Sequence, residues 1–317
     1  MQRPRARDER WPRSTWEHPF QGSFLCLVLL IAAALCVPPD LHAAAFPGGG
    51  GALAPVVDQG AAETPPAHLL AYRETRGAGK YWEWLWKDPV NLVTRPAYWR
   101  GDEWRTVALE AGVTGVAIPL DNPARDLFQN NRSGSLDSTL NTVRDITGKG
   151  GYYFAAGAAL FGSGLIGHNE RLADSGFLAV EATAYADALA QGIKLLTGRD
   201  RPDVADDQYQ FHGPGRGPSN SAFVSGESTV AFAFASSVSE VWGNPWVTWP
   251  AYGLAVAVSA ERMNQDRHWL SDVVGGAFLG EMVGEGLVHL HYHHHNAAAL
   301  QAYVTPDAAG LDVTFRF

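Results

Sequence analysis

The sequence predicts an all-α helical bundle, with a short C-terminal hairpin as its candidate β-element. From about residue 103, Ala-rich apolar stretches recur at helical spacing and are punctuated by Gly, Asp and Asn. No alternating strand pattern of any length precedes the C-terminus. Helix signals place the helices near 103–119, 122–131, 135–147, 151–167, 170–197, 221–241, 247–264 and 268–295. Residues 101–296 are therefore predicted to form one helical domain.

The last residues, 297–317, are predicted to be a tail that contains the hairpin. Two β-prone segments, 302–305 and 311–317, flank a Pro-Asp-Ala-Ala-Gly turn sequence. One hairpin cannot close a membrane barrel, so this segment does not predict an outer-membrane strand array.

Residues 1–45 have the pattern of a signal peptide. Five arginines precede an apolar run at 24–37 that is short for a membrane span, and three alanines at 43–45 offer a cleavage site. The pattern predicts export to the bacterial periplasm or the outer face of a membrane. An uncleaved N-terminal anchor is the alternative.

The predicted mature chain has no cysteine, because Cys26 and Cys36 both lie in the signal segment. It therefore has no disulfide framework and must be stabilised by packing. The net charge of −9 argues against nucleic acid as a partner and against adsorption to anionic lipid by bulk charge. Cations that converge in an acidic protein indicate a local site.

Residues 46–80 are rich in Gly, Ala and Pro and are predicted to be a linker, and residues 81–100 form a Trp-rich arm. Trp82, Trp84 and Trp86 are candidates for peripheral membrane contact at headgroup level. Packing of these rings across the main domain is the alternative. Residues 150–169 and 241–260 carry no Asp, Glu, Lys or Arg, and each stretch is about long enough to cross a bilayer. A mean hydropathy of −0.12 is low for a polytopic protein, which favours a soluble or peripherally attached domain over the membrane-spanning alternative.

Three polar clusters in the C-terminal half carry the chemistry. Lys194 precedes an Arg201-Pro202 pair by the length of two helical turns, so both cations can reach one anion. Ser225-Gly226 opens a helix whose backbone N–H groups would face an anion. The third cluster combines the following residues: Arg262, His268 and Asp272. The carboxylate, four residues after the imidazole on one helical turn, can fix its tautomer.

Together the clusters resemble the motifs of the type 2 phosphatidic acid phosphatase superfamily. That family pairs Lys-x6-Arg-Pro with Pro-Ser-Gly-His and with Ser-Arg-x5-His-x3-Asp. The resemblance covers about residues 100–290 and keeps the spacing in all three parts. It implies an all-α fold with the site at one end of a helix bundle, as in lipid phosphatases, class A acid phosphatases and vanadium haloperoxidases.

The resemblance also implies a role for each matching residue. His268 would be the nucleophile that forms a phosphohistidine, and Asp272 would orient it. The residues that would hold the phosphoryl oxygens are Lys194, Arg201, Ser225, Gly226 and Arg262. No metal and no cofactor are implied, although vanadate could occupy the site as a phosphate mimic.

Glu227 stands where the family pattern has the histidine that protonates the leaving oxygen. A bound phosphate should raise the pKa of this carboxyl, and a protonated Glu is a competent general acid. Two alternatives remain: Glu227 pairs with Lys194 or Arg262 and leaves a weak enzyme, or His212 supplies the proton. The other departures, Val224 for Pro and Glu261 for Ser, are expected to be tolerated.

The predicted function is hydrolysis of a phosphomonoester or diphosphate, on a lipid phosphate or a small phosphorylated metabolite. A vanadate-dependent haloperoxidase and a non-catalytic phosphate-binding envelope protein are the alternatives. The histidines at 289, 291, 293, 294 and 295 include pairs at metal-ligand spacing, but no partner carboxylate or thiol is evident in the sequence. They are interpreted as a polar helix end. The sequence does not indicate an oligomeric state.

Overall fold

The computed structural model describes residues 79–99, 101–147, 151–215, 217–292, 298–305 and 308–315. The predicted signal peptide and nearly all of the predicted linker lie outside these residues. So do the histidines at 293–295, which belong to the predicted polar helix end.

The prediction of an all-α bundle with a C-terminal hairpin is confirmed. The helices of the described residues are α1 Gly79–Thr94, α2 Gly101–Ala117, α3 Asp121–Asn130, α4 Gly134–Thr147, α5 Gly151–Ile166, α6 Glu170–Thr197, α7 Gly226–Trp242, α8 Pro245–Asn264 and α9 Leu270–His291. The antiparallel hairpin pairs β1 Ala298–Thr305 with β2 Ala308–Phe315.

Helix ends match the prediction where a cap marks them. Helix α6 has both predicted ends: the side chain of Asn169 accepts from the Leu172 N–H, and Gly198 ends the helix in the left-handed conformation. The predicted start of α7 at residue 221 is wrong. The helix begins at Gly226, because the Ser225 side chain caps it and the preceding residues form a buried loop.

Helix α9 begins at Leu270 and ends at His291, inside the predicted range 268–295. His268 therefore precedes the helix, and the prediction that it shares a helical turn with Asp272 is wrong. The backbone N–H of Trp269 donates to the Asp272 carboxylate (2.8 Å) and closes the first turn. This bond brings Asp272 back toward His268.

Helices α7 and α9 form the centre of the bundle. Helix α7 packs against α6, α8 and α9, while α5 covers α6 and α4 covers α8. Small side chains dominate the core between α6 and α7, where Ala182, Ala186 and Ala233 are fully buried. Because small residues let helix axes approach closely, the helix ends at one end of the bundle can meet in one site.

The contact between α7 and α9 depends on glycines four residues apart. A Cβ on Gly280 would lie 2.8 Å from the Ala233 backbone nitrogen and closer still to the Thr229 carbonyl oxygen. A Cβ added at Gly276 would likewise lie 2.7 Å from the Ser225 carbonyl oxygen, and one at Gly284 would lie 2.7 Å from the Ala233 carbonyl oxygen. Neither backbone can give way without moving a whole helix.

We expect Gly280→Ala to lower the free energy of unfolding by about 1–3 kcal/mol, the usual cost of overpacking. The matched control is Gly286→Ala in the same helix, where nothing lies within 4 Å of an added Cβ. Its gain in helix propensity should stabilise the protein by about 0.5–1 kcal/mol. Denaturant unfolding of both variants tests the packing, and equal effects would contradict it.

Residues 81–94 belong to a docked helix, α1. The Tyr81 hydroxyl donates to Asp174 at 2.7 Å, and the Trp84 ring stacks on His291 at 3.7 Å between centroids. Trp84 is only 8% exposed, so the prediction that it contacts a membrane is wrong. Trp82 (74% exposed) and Trp86 (51%) lie on the opposite face of the helix.

One helix of the described residues, α9, is long and apolar enough to cross a membrane. More than half of its most apolar stretch is buried inside the protein, as is also usual for the core helix of a protein that does not span one. Helix α5 is apolar but shorter than a span requires.

Candidate active site

The three sequence clusters meet at one end of the bundle. Lys194 lies in the last turn of α6, and Arg262 lies in the last turn of α8. The N-termini of α7 and α9, at Gly226 and Leu270, complete the group of helix ends. These N-termini carry partial positive charge and unpaired N–H groups, which suit an anion.

The face of α6 that carries Lys194 is turned toward the start of α7, as the sequence spacing predicts. A Cβ at Gly226 would lie 3.8 Å from Lys194 Cε, 3.8 Å from Gln191 Nε2 and 3.9 Å from Asp187 Oδ1. The Lys194 ammonium donates to the Ser221 carbonyl oxygen at 3.4 Å. Gly226 therefore leaves room beside the lysine for an oxygen-bearing ligand.

Lys194 is almost fully buried, and its pKa is lowered. Burial is the largest cause, and the nearby charge of Arg201 acts in the same direction, whereas Glu227 and Asp272 oppose it. The Arg201 Nε atom is buried and has no hydrogen-bond partner within the described part of the chain. A buried donor without a partner is costly, so this group is suited to receive an anionic acceptor.

Ser225 occupies a helix cap. Its hydroxyl oxygen accepts from the Ser228 hydroxyl at 3.0 Å, and its backbone N–H donates to the Asp272 carbonyl oxygen at 2.9 Å. The side chain is fully buried. The structure thus places Ser225 between α7 and α9, where it joins the second and third clusters.

The guanidinium of Arg262 lies between two carboxylates. It donates from Nη1 to Glu227 at 3.1 Å, and its Nε and Nη2 contact the buried side chain of Glu261. Burial raises the pKa of Glu261, although the charge of Arg262 opposes this shift. One edge of the arginine is therefore held by Glu261 while the other meets Glu227.

The imidazole of His268 lies between the carboxylates of Glu227 and Asp272. Its Nε2 atom is 3.7 Å from Glu227 Oε2, and its Nδ1 atom is 3.6 Å from Asp272 Oδ2. The ring is nearly fully buried, and Nδ1 makes no hydrogen bond with the described residues. Nε2 thus faces Glu227, while Nδ1 faces Asp272.

Burial alone would raise the pKa of Glu227, but the contact with His268 and the charges of His268 and Arg262 outweigh it. The net result holds the pKa of Glu227 below its usual range. This direction is opposite to the one expected beside a phosphate. Of the two pairings considered from the sequence, the one with Arg262 is present.

Part of the chain matches a known protein family. Residues 175–295 match the PAP2 superfamily, a range that contains all three clusters. The resemblance drawn from the sequence is confirmed, because Lys194, Arg262 and His268 lie inside the matched range.

Relatives of this chain are distant. A lipid A 1-phosphatase of Porphyromonas gingivalis is 33% identical over 94 residues, which are 29% of this chain and 18% of that protein. The chain thus spans about a fifth of the length of that curated relative.

Two solved structures are also similar. A PAP2-type phosphatidylglycerolphosphate phosphatase from Bacillus subtilis has a TM-score of 0.46 at 19% identity, covering 60% of this chain and 96% of its own. LpxE of Aquifex aeolicus has a TM-score of 0.40 at 21% identity, covering 55% and 96%.

Sequence reasoning missed two buried charges behind the PAP2 site. Arg199 and Asp121 form an ion pair at 2.6 Å, with neither side chain exposed, and Arg199 also pairs with Asp272 at 2.5 Å. Burial raises the pKa of Asp121 to about 6, although Arg199 and Ser271 oppose it. No signal in the sequence distinguishes Arg199 from Arg201, since both follow Gly198 in one cationic run.

Histidines other than His268 have partners that the sequence did not reveal. His212 pairs with Asp200 at 2.8 Å, and His291 pairs with the buried Asp88 at 2.8 Å. His289 lies 3.8 Å from Glu240 and from Glu285. In the part of the chain that the structure describes, no group of three or more His, Cys, Asp or Glu residues could hold a metal ion.

Proposed function

We propose that the chain is a phosphatase that hydrolyses a phosphomonoester or a diphosphate through a phosphohistidine at His268. The observation that carries this proposal is the position of the imidazole, with Nδ1 toward Asp272 and Nε2 toward Glu227, which also accepts from Arg262. A histidine nucleophile needs one ring nitrogen held by an orienting carboxylate and the other ring nitrogen directed at the phosphorus.

Three cations support phosphate binding at this place. Lys194, Arg201 and Arg262 would contact the nonbridging oxygens, together with the backbone N–H of Gly226 at the start of α7. As the transferring group loosens, its charge spreads over these oxygens, and fixed cations stabilise that distribution. The chemistry requires no metal or cofactor.

In the first step the Nε2 lone pair of His268 forms a bond to phosphorus while the bond to the leaving oxygen breaks. Glu227 donates its proton to that oxygen, and the Asp272 carboxylate stabilises the imidazolium. In the second step a water oxygen bonds to phosphorus as the phosphorus–nitrogen bond breaks. The water proton passes to Glu227, and orthophosphate leaves.

This cycle requires Glu227 to be protonated when the substrate is bound. A phosphoryl group places negative charge beside the carboxylate and competes for Arg262, so both changes raise the pKa of Glu227. The lowered pKa in the structure arises from the same two partners, His268 and Arg262. Substrate binding is therefore expected to be coupled to proton uptake.

Phosphate release from a soluble aryl phosphate and from a short-chain lipid phosphate tests the proposal, from about pH 4 to about pH 9. The similar lipid A phosphatase supports a lipid phosphate as a substrate class, and a small phosphorylated metabolite is the second class. Turnover of either substrate supports the enzyme, and the preferred one assigns the class. Binding of phosphate without turnover would support a non-catalytic protein instead.

We also propose that the protein is exported and touches a membrane through the exposed face of α1. Trp82, Leu85, Trp86 and Val93 are exposed and recur at helical spacing on this face. Trp rings favour the headgroup region of a bilayer. A net charge of −9 makes this contact depend on apolar burial rather than on charge.

The double variant Trp82→Ala/Trp86→Ala is expected to bind neutral phosphatidylcholine vesicles several-fold more weakly, with unchanged stability. Trp84→Ala is the matched control. Because Trp84 is buried, its loss should cost about 3–5 kcal/mol of stability and leave vesicle binding by the folded protein intact. Vesicle flotation measures the binding, and equal binding by the double variant and wild type would contradict the contact.

A further inference from the structure

Arg199 lies directly behind the site and is fully buried. Its guanidinium donates to Asp272 Oδ1 at 2.5 Å, to Ser271 Oγ at 2.7 Å and to Asp121 Oδ2 at 2.6 Å. Its Nε donates to the Gln208 carbonyl oxygen at 3.1 Å. Since every nitrogen has a partner and no atom is exposed, Arg199 cannot itself contact a substrate.

Asp121 holds the far side of this arginine. It begins α3, and its Oδ1 accepts from the Ser271 N–H at 2.7 Å while its Oδ2 accepts from the Ser271 hydroxyl at 2.7 Å. One buried cation therefore lies between two buried carboxylates. Removing two charges from water is costly, so a pair of this kind is weak as a source of stability alone.

The contact between Arg199 and Asp272 determines which oxygen of Asp272 faces the imidazole. Arg199 takes Oδ1, whereas Oδ2 accepts from the Trp269 N–H at 2.8 Å and lies 3.6 Å from His268 Nδ1. A carboxylate held at both oxygens cannot rotate away from the ring. Because the Asp272 carboxylate faces Nδ1, it favours the neutral tautomer of His268 with the proton on Nδ1, which leaves the Nε2 lone pair free.

We propose that Arg199, held by Asp121, is a positioning residue that fixes Asp272 and through it the tautomer of His268. The inference rests on the proposed function, in which His268 Nε2 is the nucleophile. It assigns to the arginine a role in kcat rather than in substrate binding.

Arg199→Lys keeps the charge but loses the fork that bridges Asp272 and Asp121. We expect kcat to fall roughly a hundredfold, the effect of misplacing a reacting group by about 1 Å. The KM and the competitive inhibition by inorganic phosphate should change by less than about twofold, because Arg199 touches no substrate. Asp121→Asn provides a second, smaller perturbation of the same contact, and thermal unfolding shows that each variant is folded.

Arg171→Lys is the matched control. Arg171 also bridges two elements and lies over a tryptophan ring, donating to the carbonyl oxygens of Val241 and Trp242. It lies near the start of α6, away from the site. Because Arg171 is exposed and Arg199 is fully buried, the two variants are compared in kcat and not in thermal midpoint. A purely structural role for Arg199 would lower the thermal midpoint of Arg199→Lys and leave the kcat of the folded protein unchanged, as in Arg171→Lys.

The tautomer of His268 gives a readout that does not depend on turnover. In ¹⁵N-histidine-labelled protein, with the signal assigned by its loss in His268→Ala, wild type should carry the proton on Nδ1. Arg199→Lys and Asp121→Asn should shift the neutral ring toward the Nε2–H form. A displaced tautomer in a protein without turnover would support the positioning role and refute the proposed function. Unchanged kcat and tautomer in both folded variants of an active enzyme would refute the positioning role alone.

Discussion

His268→Ala is expected to lower kcat by at least about a thousandfold on both aryl and lipid phosphates. The variant removes the atom that would bond to phosphorus, and no other imidazole in the structure lies between Asp272 and Glu227 among the described residues. Binding of inorganic phosphate should persist, since Lys194, Arg201 and Arg262 remain. The measurement is phosphate release at saturating substrate.

Trapping of the intermediate makes the test direct. Phosphohistidine survives alkali but not acid, so a base quench during turnover should leave one phosphoryl group on the peptide that contains His268. His212→Ala is the control, because His212 is held by Asp200 at 2.8 Å and should keep most of its activity. Phosphorylation elsewhere, or full activity of His268→Ala, would contradict the assigned nucleophile.

Spacing in the sequence predicted the helices whose ends carry a local signal. Asn169 and Gly198 mark both ends of α6, since a cap and a left-handed glycine act within a few residues. The start of α7 was misjudged because the apolar residues Ala222 and Val224 continue the helical pattern. Their burial is imposed by the bundle and not by a helix.

The membrane-contact prediction failed for Trp84 for a geometric reason. The sequence predicts an arm at residues 81–100, and an arm assigns no faces to its side chains. In a helix, residues two apart point to opposite sides and residues four apart to the same side. Helix α1 therefore turns Trp84 inward and Trp82 and Trp86 outward.

The sequence likewise predicted the site residues that have a local signal and missed those whose partners are distant in the chain. Regular spacing located Lys194, Arg262 and His268, because the motif positions are fixed relative to helix ends. Arg199 was beyond reach, since its partners Asp121 and Asp272 are 78 and 73 residues away in the chain. Those distant partners, and not the adjacent residues in the sequence, decide which arginine of a cationic run turns inward.

Glu227→Gln separates the roles that remain for this carboxyl. If Glu227 protonates the leaving oxygen, kcat should fall by about a hundredfold on an alkyl or lipid phosphate, whose leaving group is strongly basic. An aryl phosphate leaves as a weak base and should lose much less. The wild-type kcat on the lipid substrate should fall as pH rises through the pKa of Glu227 in the complex, and the variant should lack this limb.

Glu261→Gln is the matched control for Glu227→Gln, because Glu261 is buried and contacts Arg262 through Nε and Nη2, whereas Glu227 accepts from Nη1. It should affect both substrates alike. The opposite result for Glu227→Gln, a lower KM with unchanged kcat on both substrates, would mean that the carboxylate only competes with phosphate for Arg262. The glutamate would then weaken a site that works without it, and the leaving oxygen would take its proton from another group. A fall in kcat of His212→Ala on the lipid phosphate, with a much smaller fall on the aryl phosphate, would identify that group as His212.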